Sequence, residues 1–289
     1  MTGFKLEEEY IRNTIEAAMF AAENEFVAKK AITVIGGDKG ITDVRYKTGV
    51  DTNEPTLLQS PYSSHAHPSD VSFTYSNFRI WADLRKFEMS DWEMAADRDS
   101  NYKDTLLTRT MLSMARLQDK IIMDGWYDAG GTAVSGTSGF LASAVNTHAA
   151  GATWITTGDP FTDVLVGLEK FGEKKLPVNK ADLSKVYLFC SPARRVSLSQ
   201  LDSNGISHLT HISKDLGIPE ENILASDNIT ATVALLVYKD PMYAQMVEPE
   251  SMMAFPPWQM DQTNWQWKIR NVFGFKIMNT DSIYKITGV

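Results

Sequence analysis

The longest regular hydrophobic pattern in the chain predicts a helix that starts near residue 90. Ser90 and Glu93 have the spacing of a capping box, in which two side chains satisfy free backbone N–H groups at a helix start. Apolar residues then recur at intervals of three and four, which places them on one helical face. This stripe comprises Leu107, Met111, Met114, Leu117 and Ile121. Charged residues, including Asp119, fall largely off the stripe, and Asp99-Ser100 favours a break.

Glycine predicts where this helix, here called the spine helix, ends. Gly125 follows the last apolar position and fits a C-cap, because glycine adopts a positive φ without steric cost. Further glycines follow closely at positions 130, 131, 136 and 139. Such a density of glycine predicts a flexible turn after the helix.

Before the spine helix, the pattern predicts a helix and then an extended arm. Residues 5–30 have an apolar face, acidic residues at the start and basic residues at the end, which is typical of a helix. A short strand is expected at 31–35, and alternation at 41–49 and 71–75 predicts two strands joined by a turn-rich segment. Two strands cannot bury a core alone, so the arm must lie on its own domain or on a partner. Alternation of Phe78, Ile80, Ala82 and Leu84 predicts a half-buried strand leading into the spine helix.

After the glycines, the chain changes to alternating strands and helices between residues 145 and 239, which predicts an α/β unit. Asp159-Pro160 and Ser191-Pro192 each predict a helix start, because the first residue can cap and proline suits the first helical position. Strands are expected at 185–190, 220–224 and 231–238, and in the tail at 244–255, 265–270, 274–278 and 283–286. The chain as a whole is therefore expected to be α+β.

Composition narrows the classes of function. The 289 residues carry a formal net charge of -8, which argues against broad nucleic-acid binding through surface charge. The single cysteine, Cys190, excludes an intrachain disulfide and favours a reducing compartment. No apolar run is long enough to span a membrane, and the first residues lack the features of a signal peptide. We therefore expect synthesis in the cytoplasm and no membrane partner.

No constellation of catalytic residues stands out, so we expect a protein that is not an enzyme and holds no metal or cofactor. His65 with His67, and His208 with His211, have spacings that suit a metal, but neither pair has an evident third ligand. The glycine-rich segment after the spine helix lacks the lysine of a phosphate-binding loop. Cys190 lies within an apolar strand, where a thiol is usually inert. An α/β enzyme whose catalytic residues meet only in space stays open as an alternative.

The order of these elements resembles the major capsid protein of tailed bacteriophages, the Hong Kong ninety-seven phage fold that encapsulin shells share. Members of that family carry a strand before the spine, a serine at its start, an Asp-Ser-type break, an acid-x5-Gly pattern at its end and a following Gly-aliphatic pair. The matching residues here are Phe78 to Leu84, Ser90, Asp99-Ser100, Asp119 with Gly125, and Gly139-Phe140-Leu141. Phe140 departs from the more usual leucine. The closing segment NVFGFKIMNTDSIYKITGV also resembles the last strands of the family.

The resemblance implies four structural parts. Residues 1–39 would form an N-terminal arm, and residues 40–77 an extended loop that lies over a neighbouring subunit. Residues 78–128 and 240–289 would form a peripheral domain around the spine helix, and residues 129–239 an axial domain near five-fold and six-fold axes. The residues expected to matter for assembly or structure are Arg45, Lys47, Met114, Leu117, Asp119, Gly125 and Gly139.

The function that the resemblance implies is that of a structural major capsid protein. Copies would assemble as pentamers and hexamers into the icosahedral head shell of a bacteriophage, which encloses double-stranded DNA. Portal, scaffold and decoration proteins would be further partners, and contact with the packaged DNA would be weak and non-specific. The protein would be made and assembled in the host cytoplasm and would reside in the virion capsid. An encapsulin, the shell of a cellular compartment that packages an enzyme, is the alternative within the same fold.

Overall fold

Two β-sheets and one long helix account for most of the regular structure. The computed structural model describes residues 15–22, 25–40, 43–51, 71–90, 102–127, 133–155, 158–174, 176, 183–201, 205–259 and 264–289. The helices in these ranges are α1 (15–22), α2 (Tyr102–Asp124), α3 (Phe140–Ser143), α4 (Pro160–Glu173), α5 (Pro192–Ser197) and α6 (His208–Lys214). The expected α+β class is confirmed. None of the helices in the described ranges is both long and apolar enough to cross a membrane.

The strands form two sheets and two hairpins. In chain order they are β1 (Thr33–Gly36), β2 (Asp43–Asp51), β3 (Val71–Arg79), β4 (Trp81–Ser90), β5 (Gly125–Tyr127), β6 (Ala133–Ser138), β7 (Asn146–Ala149), β8 (Val186–Cys190), β9 (Ile223–Ala225), β10 (Val233–Tyr238), β11 (Ala244–Gln259), β12 (Asn264–Ile277) and β13 (Ile283–Thr287). One sheet has the order β1-β11-β12-β4 and the other β7-β13-β10-β8-β9. The strand pairs β2-β3 and β5-β6 form the hairpins.

The spine helix α2 lies across one face of the four-stranded sheet. Its predicted stripe is confirmed, because Leu107, Met111 and Met114 are buried. These side chains pack with Trp267 and Ile269 of β12 and with small residues of α1 in one apolar cluster. Phe87 of β4 stacks on Trp267, with ring centroids 5.7 Å apart. Helix, sheet and N-terminal segment are therefore stabilised by the same core.

The five-stranded sheet is covered by helices as the sequence predicts. Asp159 caps α4 by accepting a hydrogen bond from the Phe161 N–H at 3.1 Å, and Pro160 occupies the first helical turn. Val164, Leu168 and Phe171 of α4 are buried against the sheet. The opposite face of the sheet joins the end of the spine helix and strands β11 and β12 in a second, central cluster. The two sheets thus share a continuous interior.

The predicted helix at residues 5–30 is only partly correct. Residues 15–22 are helical, but residues 25–27 are not, and a 3-10 turn follows at Ala28–Ala31. The backbone N–H groups of Val27 and Ala28 donate to Asp119 of the spine helix instead of to carbonyls of α1. A tertiary contact therefore ends a helix that the charge pattern alone would extend.

The predicted half-buried strand from Phe78 to Leu84 is wrong in its second half. The strand is interrupted at Ile80, and Phe78 and Ile80 are buried while Leu84 is 58% exposed. In β4 the odd-numbered side chains face the spine helix, as the hydrogen bond from Arg85 to Ser113 Oγ shows. The interruption at Ile80 changes which side chains face the core, so the alternation does not continue in register.

Three further expectations need correction. Ser90 pairs with Asn264 as the last residue of β4, and its proposed partner Glu93 lies outside the described residues. The supposed flexible turn after the spine contains the β5-β6 hairpin, with Gly136 inside a strand. The two predicted strands at 265–270 and 274–278 are one strand, β12.

The last strand of the chain joins the five-stranded sheet. Ile283–Thr287 pairs antiparallel with Val233–Tyr238 and parallel with Asn146–Ala149. Residues 240–289, expected in a single peripheral domain, therefore contribute strands to both sheets. The domain limits as a whole stay a prediction.

Candidate functional site

The C-terminal half of the spine helix brings together most of the residues that the sequence singles out. Met114, Leu117 and Asp119 lie on the helix, Gly125 follows its last residue, and Gly139 packs against that end. Met114 is buried and Leu117 is half-buried against the central cluster. Arg45 and Lys47 do not belong to this site, because both lie on β2 of the arm.

Asp119 is the polar centre of the site. Its carboxylate is 3% exposed and accepts hydrogen bonds from Val27 N at 2.9 Å, from Ala28 N and from Asn228 Nδ2 at 3.1 Å. Burial raises the pKa of the Asp119 carboxyl above its ordinary value, although the three donors favour the ionised form. One side chain therefore ties the N-terminal segment and the loop after β9 to the spine helix.

Asp119→Asn is expected to lower the free energy of unfolding by about 1–3 kcal/mol, because the amide turns an N–H group towards donors that need an acceptor. The raised pKa means that protonation of Asp119 favours folding, so this contribution is full below the unfolded pKa and is lost as pH rises through the folded pKa. Chemical denaturation of dissociated subunits at several pH values measures both effects.

A matched control for this change is Asp227→Asn. Asp227 lines the same cavity of about 340 Å³ beside Asp119, together with Glu25, Arg116 and Asn228, but its side chain is exposed. Its replacement should alter stability by no more than about 0.5 kcal/mol. Equal losses from both variants, or a stability gap between parent and Asp119→Asn that does not narrow as pH rises, would contradict the role given to Asp119.

Two glycines close the end of the spine helix. Gly125 has a φ of 100°, which confirms its prediction as the residue that ends the helix. A Cβ at Gly139 would lie 2.4 Å from both the Gly125 N and the Met123 O. The chain that leaves the β5-β6 hairpin therefore touches the helix end through backbone alone.

Gly125→Val is expected to destabilise the subunit by about 1–2 kcal/mol, because a β-branched residue is strained in the left-handed region. Gly36→Val is the control, since Gly36 lies on a strand with no heavy atom within 4 Å of its added Cβ. Urea denaturation of the two variants beside the parent measures the difference. Coinciding midpoints for all three proteins would show that Gly125 carries no conformational constraint.

A second polar pair at the site escaped the sequence analysis. Gln118 and Asn271 are both buried, and Asn271 Nδ2 donates to Gln118 Oε1 at 2.8 Å. Gln118 follows Met114 by one helical turn, so an amide occupies a position on the apolar face. That interruption of the stripe is the signal that the sequence offered, but its partner on β12 is visible only in the fold.

The groups considered for chemistry remain apart. The described residues contain no cluster of three or more potential metal ligands, and His65 and His67 lie outside them. His211 lies on α6, where its Nδ1 is 2.6 Å from an oxygen of Asp215. Cys190 is buried, and burial raises the pKa of its thiol to about 12, so the thiolate is scarce at neutral pH.

Comparison with known proteins gives no match by sequence but clear matches by structure. No family model matches the chain, and no curated protein matches it. The virus-like particle from Pyrococcus furiosus superimposes with a TM-score of 0.61 at 12% identity, over 96% of this chain and 99% of that chain. The capsid of Myoviridae phage XM1 gives 0.63 at 15% identity over 90% of each chain. The chain has the fold of tailed-phage major capsid proteins.

A third capsid structure agrees with this result. The capsid of an empty GTA particle superimposes with a TM-score of 0.62 at 10% identity, over 91% of this chain and 89% of that chain. The capsid fold thus extends over about nine-tenths of the sequence or more. The resemblance drawn from short motifs is confirmed at the level of the fold.

Proposed function

We propose that the protein is a structural major capsid protein that self-assembles into the icosahedral head shell of a tailed phage around double-stranded DNA. The observation that carries the proposal is the superposition on capsid and virus-like-particle subunits along nearly the whole chain. Building such a shell requires contacts between copies and no catalytic residue. Pentamers and hexamers would be the intermediates, and the virion capsid the final location. Portal, scaffold and decoration proteins would be its other partners, and its contact with packaged DNA weak.

The arm supports this proposal because it has little support from its own subunit. Strands β2 and β3 pair from Asp43 with Arg79 out to Asp51 with Val71. At the base of this hairpin, Val44 and Phe78 pack on Val247 and Val272 in a small cluster. Gly274 permits this contact, since a Cβ there would lie 3.0 Å from the Phe78 ring. The described contacts anchor the arm at its base, and a neighbouring copy would supply the rest.

The outer face of the four-stranded sheet, opposite the spine helix, offers a surface for that arm. Lys268 lies 4.1 Å above the Trp258 ring, and Arg270 lies 5.2 Å above the Phe255 ring. Lys86 is paired directly opposite Lys268 across the two strands, and like charges so placed repel. An acidic partner would relieve this repulsion. Residues 51–70 at the arm tip contain three acids and no lysine or arginine.

Replacing residues 52–69 with a short Gly-Ser turn is therefore expected to leave the subunit folded while assembly stops at small oligomers or yields fragile shells. The tip lies beyond the packed base of the arm, and shell interfaces of this kind bury on the order of 2,000 Å² or more. Sedimentation measures assembly, and circular dichroism checks folding. A matched variant keeps the full length but changes Asp51, Glu54 and Asp70 to their amides, which separates charge from length. Stable shells of normal size from the shortened variant would refute the role of the arm, and an unfolded product would place the arm in the subunit core.

The proposed function itself is tested by electron microscopy of the purified protein, together with analysis of nuclease-protected contents. Closed icosahedral particles are expected, and in infected cells these would hold double-stranded DNA. A monomer at every concentration and salt condition tried would overturn the proposal.

The second candidate is the shell of a cellular compartment. It is favoured by the near-complete coverage of both chains in the match to the virus-like particle from Pyrococcus furiosus. Both candidates predict closed particles, so the contents decide between them. Particles that contain a specific host enzyme and no protected DNA would select the compartment.

A further inference from the structure

Two adjacent arginines on α5 differ in how their charges are accommodated. Arg195 Nε donates to the Ile223 carbonyl at 3.1 Å, and its Nη2 lies 3.5 Å from Glu220 Oε1. Arg194 is only 6% exposed, yet its Nε and Nη1 are out of contact with solvent and have no acceptor in the described structure. The Arg194 backbone N–H bonds to Ser191 Oγ, so the local helix start is satisfied and only the guanidinium is not.

An unpaired buried guanidinium is costly for an isolated subunit. Arginine stays protonated in proteins, so it cannot lose its charge on burial. Buried polar groups in native proteins nearly always have hydrogen-bond partners, and a buried charge needs a counter-charge. The acceptor that Arg194 lacks must therefore come from outside the described subunit.

The surface around Arg194 indicates what kind of partner supplies this acceptor. Val196 is 71% exposed and Leu201 is 68% exposed, both within a few residues of Arg194. A site for a small solvated anion would be lined by polar groups, whereas apolar side chains around an arginine are typical of the centre of a protein interface. We call Arg194, Val196 and Leu201 the α5 surface.

We propose that the α5 surface is a contact between copies of this chain, in which a carboxylate of a second copy binds the Arg194 guanidinium while Val196 and Leu201 become buried. The inference rests on the proposed self-assembly and adds to it a specific ion pair. Carboxylate is the acceptor that best matches the planar fork of arginine. Removal of this contact weakens association without harming the fold, because the subunit alone gains nothing from the unpaired charge.

The test compares Arg194→Met, Val196→Ser and Leu201→Ser with the parent by analytical ultracentrifugation over a range of concentrations. Met242→Ser is the matched control, because Met242 is 77% exposed but lies away from α5 in the sequence. We expect Arg194→Met to weaken association by about tenfold or more, the two serine variants to weaken it several-fold, and the control to have no effect. The melting temperature of dissociated Arg194→Met subunits should equal or exceed that of the parent.

The outcomes separate this inference from the proposed function. A lower melting temperature with unchanged association would show that Arg194 has an acceptor within its own subunit, and would overturn the inference. Normal shells from all three α5 variants would also overturn it while leaving the shell function intact. Small oligomers of the parent that depend on Arg194 but never close into shells would support the inference and refute the shell. Equal weakening by Met242→Ser would show a general effect of surface polarity and would overturn the inference.

Discussion

Gly139→Ala is expected to destabilise the subunit by about 3 kcal/mol or more, towards or beyond the upper end of the usual cost of overpacking. The added methyl carbon would lie 2.4 Å from the Met123 O and the Gly125 N, and 2.5 Å from the Asp124 C. All three atoms belong to backbone, so no side-chain rotation can relieve the clash. The end of the spine helix would have to move away from the β5-β6 hairpin. We therefore expect a low yield of soluble protein and a lower unfolding midpoint.

Gly151→Ala is the control for this prediction. A Cβ at Gly151 would meet no heavy atom within 4 Å, and the residue has no positive φ. The two variants make the same chemical change and differ only in the space around it. Thermal and urea unfolding of both proteins, with circular dichroism as the probe, measures the contrast. If Gly139→Ala unfolds at the parent midpoint, the backbone contact at the end of the spine helix is absent from the protein in solution.

Local features of the fold could be predicted from sequence because each depends on neighbours within one or two turns. The apolar stripe of the spine helix, the caps at Asp159 and Ser191 and the left-handed Gly125 are of this kind, and all three are confirmed. The strands of the arm were also predictable from alternation, and β2 and β3 lie where it placed them. In each case the residue pattern and the backbone preference agree.

Long-range contacts account for what the sequence could not predict. Asp119 is charged and sits beside the apolar stripe, which favours an exposed position, yet it is buried because donors from residues 27, 28 and 228 converge on it. β13 is continuous in sequence with the strands of one sheet but pairs in the other. The unpaired Arg194 also has no local signature, since Arg195 next to it has the same chemistry and is satisfied. These features follow from which elements meet, and short patterns carry no information on that.

Met114→Ala is expected to lower the free energy of unfolding by about 2–5 kcal/mol, through lost burial and the cavity left behind. Met114 is 1% exposed and lies in the cluster shared by α1, the spine helix and the sheet strands around Trp267. Three elements that are far apart in sequence meet at this side chain. Since none of them can collapse inwards without disturbing the other two, the cost should fall in the upper part of the range.

Leu117→Ala provides the graded comparison within the same helix. The sequence analysis treated Met114 and Leu117 alike, but Leu117 is only partly buried, so its truncation should cost clearly less. Arg109→Ala, at an exposed position of the helix, should change stability by no more than about 0.5 kcal/mol. Urea denaturation of dissociated subunits should thus rank the losses Met114, Leu117, Arg109 in descending order. Equal losses at all three positions would mean that the stripe is not a core face, and that the spine helix acts in the shell without first stabilising the subunit.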